Sequence, residues 1–163
     1  MHAEMDMFLA YKNDEIVGRI AAITNENHNK FHKDNLGFFG FYESINDKEI
    51  CSILLDRVKA WLKDHSKNGM LGPMNPSTND ETGLLIDGFN SPPYIMMCHN
   101  PKYYQELLED YGLMKAKDLY AWHADSTQIQ ITEKMERVSK KMLMKLGLTL
   151  RNIQLNNQTQ IYR

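Results

Sequence analysis

The first apolar positions of the chain fall in two runs, 7–11 and 16–24, in which apolar and polar side chains partly alternate. The residues between them, 12–15, have an Asn-Asp centre that suits a tight turn. A third run, GFFGFY at 37–42, is rich in aromatic residues, as is typical of a buried strand. The pattern predicts a β-hairpin, a polar loop over 25–36 and a third strand. The glycines within that strand indicate a bulge, or the close approach of another backbone or a ligand.

Helical spacing of apolar residues begins after this strand. Between 47 and 65 apolar side chains recur every three or four positions, with Asn46 or Asp47 available as the N-cap. A short strand at 69–71 follows, so residues 37–71 predict a β-α-β crossover with two parallel strands.

Four further elements are predicted by the same criteria. They are a helix over 101–110 with Asn100 as its cap and Gly112 beyond its end, a strand over 113–123, a helix over 132–146 that Gly147 ends, and a strand over 148–155.

Residues 70–97 are dense in turn-forming and polar side chains and show almost no helical or strand periodicity. Ordering an irregular segment costs roughly 1–2 kcal/mol per residue, so long ones inside a domain are mostly binding loops or lids. Two interpretations of its polar side chains stay open. Either they orient a polar or cationic small ligand, or they satisfy one another through Asx and Ser/Thr turns. The side chains concerned are Asn75, Ser77, Asn79, Asp80, Glu81 and Asp87.

Composition and charge restrict the function. With 163 residues, 42% hydrophobic and 25% charged, the chain is typical of a globular domain. A formal charge of −2 argues against a nucleic-acid partner. Because there is neither a bilayer-spanning apolar stretch nor a signal peptide, we expect a cytoplasmic protein without a membrane partner. The basic run at 133–145 is interpreted as a solvated helix face, in preference to phosphate or membrane binding.

The sequence predicts no metal site and no disulfide framework. Cys51 and Cys98 are the two cysteines, and neither has the spacing of a zinc ligand set. His28 and His32 are four positions apart and could chelate a metal together on a helix, but they fall in the predicted polar loop.

Several segments resemble one protein superfamily. NPKYYQELLEDYGL at 100–113 is similar to the part of GNAT (N-acetyltransferase-type) proteins in which an Asn starts the helix beneath the coenzyme. Four other segments resemble a bacterial group of uncharacterised GNAT-like proteins: VGRIAAITNENHN, GFFGFYES, LGPMNPSTNDETGLLIDGFNSPP and YGLMKAKDLYAW. The resemblance covers about residues 7–124. It implies an α/β (α+β) fold with a mixed, mostly antiparallel sheet, a central β-α-β crossover and helices on both faces.

The resemblance also implies an acyl-CoA-dependent N-acyltransferase of unknown substrate, with acetyl-CoA or another acyl-CoA as cofactor and a small-molecule acceptor. The alternative is a non-catalytic small-molecule-binding or assembly module on the same fold. Glu43, at the end of a central strand, is the candidate general base, since open parallel sheets bind ligands beyond their strand ends. The other candidates are Tyr103 and Tyr104 as catalytic residues and Gly40, Phe41, Tyr42 and Asn100 as coenzyme-binding residues.

Two features of the predicted site depart from the GNAT pattern. The turn at 43–49 lacks the glycines that present backbone N–H groups to the coenzyme pyrophosphate. It carries three carboxylates against Lys48, and each unfavourable pair would cost on the order of 1 kcal/mol. Furthermore, Leu108 stands four residues before Gly112, where the family often has its acidic tyrosine.

The predicted domains are 1–125, a GNAT-like core without the usual first strand and helices, and 126–163, a C-terminal helix and strand. LTLRNI at 148–153 resembles a GNAT opening strand. Two explanations stay open: the chain is a fragment of a longer protein whose second repeat starts there, or the strand pairs with a neighbouring sheet in a homo-oligomer.

Overall fold

The structure is a computed structural model that describes residues 2–125, 127 and 130–150. The chain divides into two compact units, with the boundary between Leu119 and Tyr120. Within the described residues no helix is long and apolar enough to cross a membrane. The elements are β1 (Ala3–Lys12), β2 (Glu15–Asn25), α1 (Glu26–His32), β3 (Leu36–Ser44), α2 (Lys48–Asp64), β4 (Gly69–Leu71), β5 (Met74–Asn75), β6 (Glu81–Thr82), α3 (Tyr103–Asp110) and α4 (Glu133–Leu146).

The first unit contains a four-stranded sheet in the order β1-β2-β3-β4. β1, β2 and β3 are antiparallel neighbours, whereas β4 pairs parallel to β3, with Gly37 opposite Met70. The predicted hairpin is confirmed, and Asn13 and Asp14 both have positive φ, as a tight hairpin turn requires. Since α2 connects β3 to β4, the mixed, mostly antiparallel sheet with a β-α-β crossover is confirmed as well.

The main core lies between the sheet and the helices α2 and α3. Asp47 is the N-cap of α2, because its carboxylate accepts hydrogen bonds from the N–H groups of Glu49 (2.9 Å) and Ile50 (3.4 Å). Complete burial of one large aliphatic side chain stabilises the fold by roughly 1.5–3 kcal/mol. This core contains Ile20, Phe39, Cys51, Leu54, Leu55, Val58, Trp61, Leu62, Tyr104, Leu107 and Leu108, among others.

The opposite face of the sheet carries a smaller cluster built on Ile23, Phe38 and Met74. α1 contributes to this face, since the His28 ring lies edge-on to Phe38 with 4.8 Å between ring centroids. Helices therefore pack on both faces of the sheet, as expected.

The prediction of a loop over 25–36 is wrong, because α1 lies within it. Asn25 is its N-cap and accepts from the His28 N–H at 3.1 Å, so the asparagines support a helix instead of a turn. His28 and His32 consequently lie on one helix, with ring centroids 4.2 Å apart. Across the described residues no group of three His, Cys, Asp or Glu side chains could hold a metal ion.

Lys67 fastens α1 to the connection between α2 and β4. Its side chain is only 5% exposed and forms an ion pair with Glu26. The ammonium group also donates to the Asn29 amide oxygen at 2.8 Å and to that of Asn35 at 3.4 Å. Three acceptors thus compensate the burial of this charge.

Three predictions in the second half of the chain need correction or stay untested. The strand over 113–123 is wrong: that segment is irregular, and Trp122 is 90% exposed. Asn100 is not the cap of α3, which begins at Tyr103 after Lys102. Of the strand over 148–155, residues 148–150 are irregular and the rest lies outside the described residues.

The helix predicted over 132–146 is confirmed as α4. The Thr132 hydroxyl accepts from the Met135 N–H at 3.3 Å, and Gly147 ends the helix in the left-handed conformation. Both ends of α4 are therefore capped by local sequence.

Candidate functional site

A cavity of about 760 Å³ lies where the end of β3 faces the irregular segment between β4 and α3. Eight of the side chains that the sequence singled out line it, so the structure brings the end of β3 and part of the loop together. They are Phe41, Tyr42, Glu43, Asn75, Asp80, Glu81, Asn100 and Tyr104.

The sequence did not indicate the other lining residues. For Arg19 a signal existed, since it is a charged residue inside an apolar strand, but Cys98 and His99 have no informative spacing. The lining residues that were missed are Arg19, Pro73, Gly83, Leu84, Met96, Cys98, His99 and Pro101.

The floor of the cavity is an irregularity in β3. The register with β2 shifts between the pairs Arg19–Glu43 and Ala21–Gly40, and Phe41 has a φ of 49°. The Phe41 N–H turns away from the ladder and donates to the Asn75 side-chain oxygen at 2.6 Å. A side chain of β5 thereby replaces a strand as the partner of this backbone group.

Gly40 allows β5 to reach this position. A Cβ atom at Gly40 would lie 1.7 Å from the Met74 carbonyl oxygen and 2.7 Å from the Met74 carbonyl carbon. The expected close approach of another backbone is therefore confirmed at this glycine. Its predicted role in binding a coenzyme stays a prediction.

Two neighbouring tyrosines of α3 bind the backbone of Ser44 in opposite senses. The Tyr103 hydroxyl donates to the Ser44 carbonyl oxygen at 2.8 Å, whereas the Tyr104 hydroxyl accepts from the Ser44 N–H at 3.1 Å. Tyr103 therefore uses its proton within the fold, while Tyr104 keeps its proton for another acceptor. Burial, foremost, raises the pKa of Tyr104, so its hydroxyl stays protonated at neutral pH.

Tyr42 completes this aromatic group below the cavity. Its hydroxyl lies 2.7 Å from the Ser44 Oγ, and its ring contacts that of Tyr104 edge-on, with 4.9 Å between centroids. Burial, foremost, raises the pKa of Tyr42 far above its ordinary value, so its hydroxyl stays protonated. Tyr42 thus supports the position of Tyr104.

Glu43 forms an ion pair with Arg19 across β2 and β3, with 2.8 Å between the guanidinium Nη2 and the carboxylate Oε1. The Glu43 side chain is 62% exposed and that of Arg19 51%, so the pair contributes at most about 1 kcal/mol to stability. The carboxylate is accessible at the cavity, and Arg19 determines its orientation.

The polar side chains of the loop hydrogen-bond one another, and three of them also line the cavity: Asn75, Asp80 and Glu81. Their predicted contact with a ligand stays a prediction. Ser77 organises a turn: its hydroxyl donates to the Asp80 carboxylate at 2.7 Å and accepts from the Asn79 N–H at 3.2 Å.

Asp87 lies further along the loop. Its carboxylate accepts from the N–H of Gly88 at 2.8 Å. Ser77, Asn79 and Asp87 are therefore placed in local turns, and their predicted contact with a ligand stays a prediction.

Asn100 holds the far end of the loop. Its side-chain oxygen accepts from the Leu85 N–H at 2.7 Å, and its amide nitrogen donates to the Leu85 carbonyl at 3.2 Å. These two hydrogen bonds have the donor and acceptor pattern of a β-bridge, and they hold the loop against the segment that leads into α3. Cys98 lies beside it with its thiol pKa raised, chiefly by burial, so the thiol is not activated as a nucleophile.

The N-terminus of α2 does not fit a coenzyme pyrophosphate. The Asp47 carboxylate occupies the first N–H groups of the helix and pairs with Lys12 at 3.2 Å. The Lys48 ammonium, which could oppose the carboxylates of this turn, pairs with Asp110 at 2.6 Å. A phosphate would have to displace both ion pairs and the helix cap.

The electrostatic character of the cavity is acidic. Glu43, Asp80 and Glu81 contribute three carboxylates, and Arg19 contributes one guanidinium. This balance of three carboxylates against one guanidinium favours a cationic ligand over an anionic one.

Two curated proteins are similar to this chain. It is 34% identical over 160 residues to a protein of Caulobacter vibrioides (strain NA1000 / CB15N) named bacterial ceramide synthase, a match that covers 98% of the chain and 41% of the relative. It is 31% identical over 153 residues to protein YghO of Escherichia coli (strain K12), covering 94% of the chain and 39% of the relative. The chain thus spans about two fifths of the length of these relatives. Neither a protein-family model nor a solved structure matches it.

Proposed function

We propose that this chain forms part of a GNAT-like N-acyltransferase of unknown substrate and that the cavity beside β3 binds the amine acceptor. The proposal rests on one observation: Glu43 and Tyr104 line the same cavity. The Glu43 carboxylate is accessible, and the buried Tyr104 hydroxyl accepts a hydrogen bond from Ser44, which leaves its proton available to a ligand. The similarity to a protein named ceramide synthase supports it. A ceramide is an amide, so its synthesis transfers an acyl group to an amine.

The proposed chemistry assigns one proton to each of these residues. Glu43 accepts a proton from the acceptor ammonium, directly or through a water molecule, and the amine nitrogen then attacks the acyl carbonyl carbon. As the bond to the leaving group breaks, Tyr104 donates its proton to that group, and the second proton that the nitrogen loses as the amide forms returns to the Tyr104 oxygen, directly or through water. Glu43 then releases its proton to solvent. General acid and base catalysis of this kind each contribute typically 10²–10⁴-fold. Asp80 and Glu81 attract the ammonium to the cavity before it loses its proton.

The α2 N-terminus does not fit a pyrophosphate, so no residue of that turn would hold coenzyme A. The donor need only present an activated acyl carbonyl at the cavity, within reach of the Tyr104 hydroxyl.

The matched pair Tyr103→Phe and Tyr104→Phe tests this proposal, since each variant removes one hydrogen bond to Ser44 from adjacent positions of α3. Amide formation from radiolabelled acetyl and palmitoyl thioesters would be measured on a panel of primary amines and amino alcohols. We expect Tyr104→Phe to lower kcat at least 100-fold and Tyr103→Phe to lower it less than tenfold. Equal losses in the two variants would contradict the assignment.

A non-catalytic binding module is the second candidate. Two observations favour it. Asp47 occupies the N–H groups at the start of α2 that a pyrophosphate would bind, and Arg19 pairs with the Glu43 carboxylate that would act as the base. Calorimetry with the same amines separates the candidates. The binding module would be supported if an amine binds but no thioester is turned over, and if Glu43→Gln leaves the affinity for that amine unchanged.

A further inference from the structure

The helix α4 has a continuous apolar stripe along one side. Met135, Val138, Met142 and Leu146 are spaced by three, four and four residues, so at about 100° per residue they lie within one narrow sector. Between 47% and 60% of each residue is exposed. An amphipathic helix of this kind normally buries its apolar side against another element.

The charges of α4 are distributed unevenly about this stripe. Lys134, Lys141 and Lys145 follow one border of it, whereas Glu136 lies on the opposite flank. The helix has five basic and two acidic side chains, a formal charge of +3 in a chain whose total is −2. On the side away from the stripe the acidic residues are interspersed with basic ones, and Glu136 pairs with Lys140 at 3.7 Å. The unpaired excess of positive charge beside the stripe therefore comes from its lysine border.

From this arrangement we infer that α4 binds the surface of an anionic lipid bilayer. It would lie parallel to the membrane plane, with the apolar stripe about 5–10 Å deep in the headgroup and acyl boundary. The lysines beside the stripe would extend their ammonium groups to lipid phosphates. The inference does not depend on the proposed catalytic function, and it replaces the sequence expectation of no membrane partner.

Two aromatic side chains in the same unit add to this inference. Trp122 is 90% exposed and Tyr120 78% exposed. Exposed Trp and Tyr side chains are favoured at membrane interfaces, where an apolar ring and a polar atom are both accommodated. An anionic lipid surface is complementary to this basic border along its whole length, whereas an antiparallel pairing of two copies through the stripe would bring two basic borders together, where they would repel.

Co-sedimentation of the chain with vesicles tests the inference. One set of vesicles contains phosphatidylcholine alone, and the other contains about 30% phosphatidylglycerol. We expect binding to the anionic vesicles that weakens when salt is raised from about 0.1 M to 0.5 M, since the Debye length shortens. The triple variant Lys134/Lys141/Lys145→Gln should bind roughly 100-fold more weakly, because each basic side chain near an anionic surface contributes roughly fivefold.

The control for charge is a second triple variant, Lys30/Lys59/Lys63→Gln, which removes three exposed lysines from the first unit. It should bind as the unaltered chain does. Equal weakening in the two triple variants, or equal binding to neutral and anionic vesicles, would overturn the inference.

A second matched pair tests the stripe. Met142 lies within it, whereas Met144, 83% exposed, lies on the opposite side of the same helix. Met142→Asp should weaken vesicle binding roughly tenfold or more and Met144→Asp much less, with circular dichroism confirming that both variants stay folded. If Met142→Asp leaves vesicle binding unchanged but disrupts a dimer in sedimentation, the stripe is a surface between copies and the inference fails.

Discussion

Replacement of Gly40 by alanine should destabilise the first unit by pushing β5 away from β3. The new methyl carbon would lie 1.7 Å from the Met74 carbonyl oxygen, whereas an ordinary contact is 3.4–4 Å. Because the obstacle is backbone and not the end of a flexible side chain, it cannot rotate aside. The strands β3 and β5 must therefore separate by more than an ångström, and the hydrogen bond from the Phe41 N–H to Asn75 is then lost.

The expected cost follows from these contacts. Overpacking of this kind costs typically 1–3 kcal/mol, and the lost hydrogen bond about 1 kcal/mol more. Alanine recovers about 0.4–1 kcal/mol by restricting the unfolded chain. The net loss in unfolding free energy should therefore be about 2 kcal/mol.

Urea unfolding followed by tryptophan fluorescence measures this loss, since Trp61 is buried in the unit concerned. For m-values of about 1–3 kcal/mol/M the midpoint should fall by about 1 M. Gly69→Ala is the matched control, because its Cβ would meet only the Leu36 side-chain end, at 2.9 Å. If Gly40→Ala is no less stable than Gly69→Ala, the reasoning from backbone contact is refuted.

Three further perturbations probe other parts of the first unit. Asn100→Ala should unpair the Leu85 amide and accelerate its hydrogen exchange about tenfold; unchanged exchange would contradict the clamp. Burial lowers the pKa of His28 below its ordinary 6.5, so the unfolded chain takes up a proton first and stability should fall as pH drops through 6.5. His28→Gln should flatten that pH dependence in unfolding titrations, and an identical profile would refute the assignment. Leu107→Ala should cost about 2–5 kcal/mol by urea unfolding, against less than about 0.5 kcal/mol for the exposed Leu119→Ala.

Elements determined by neighbouring residues were predictable from the sequence. The hairpin, the start of α2 at Asn46 or Asp47 and the end of α4 at Gly147 follow from short-range turn and capping chemistry, which the order of residues specifies. The β-α-β crossover followed because a periodic helix lay between two apolar strands.

Elements determined by distant contacts were not predictable. α1 lacks an apolar stripe and is held by polar contacts of Asn29 and Lys67, so periodicity gave no signal. The segment 113–123 has strand-like side chains, but in the described part of the chain no strand pairs with it. Strand propensity without a partner does not produce a strand.

In the candidate site, too, some residues could be identified from the local sequence, and others depend on the fold. Glu43 was identifiable because it ends a central strand, but its partner Arg19 depends on the pairing register of β2 and β3. Tyr103 and Tyr104 were equivalent in sequence, and only the opposite directions of their hydrogen bonds to Ser44 separate them.

The burial of Lys67 has a consequence for chemical labelling. An amine attacks an acylating reagent only when its nitrogen lone pair is deprotonated and accessible, and the Lys67 ammonium is held by three acceptors at 5% exposure. Exposed lysines such as Lys59 should react with an activated ester in the native protein. Lys67 should react only when local unfolding separates α1 from the connection between α2 and β4. The rate at which mass spectrometry detects a modified Lys67 would therefore report the population of that opening, without any mutation.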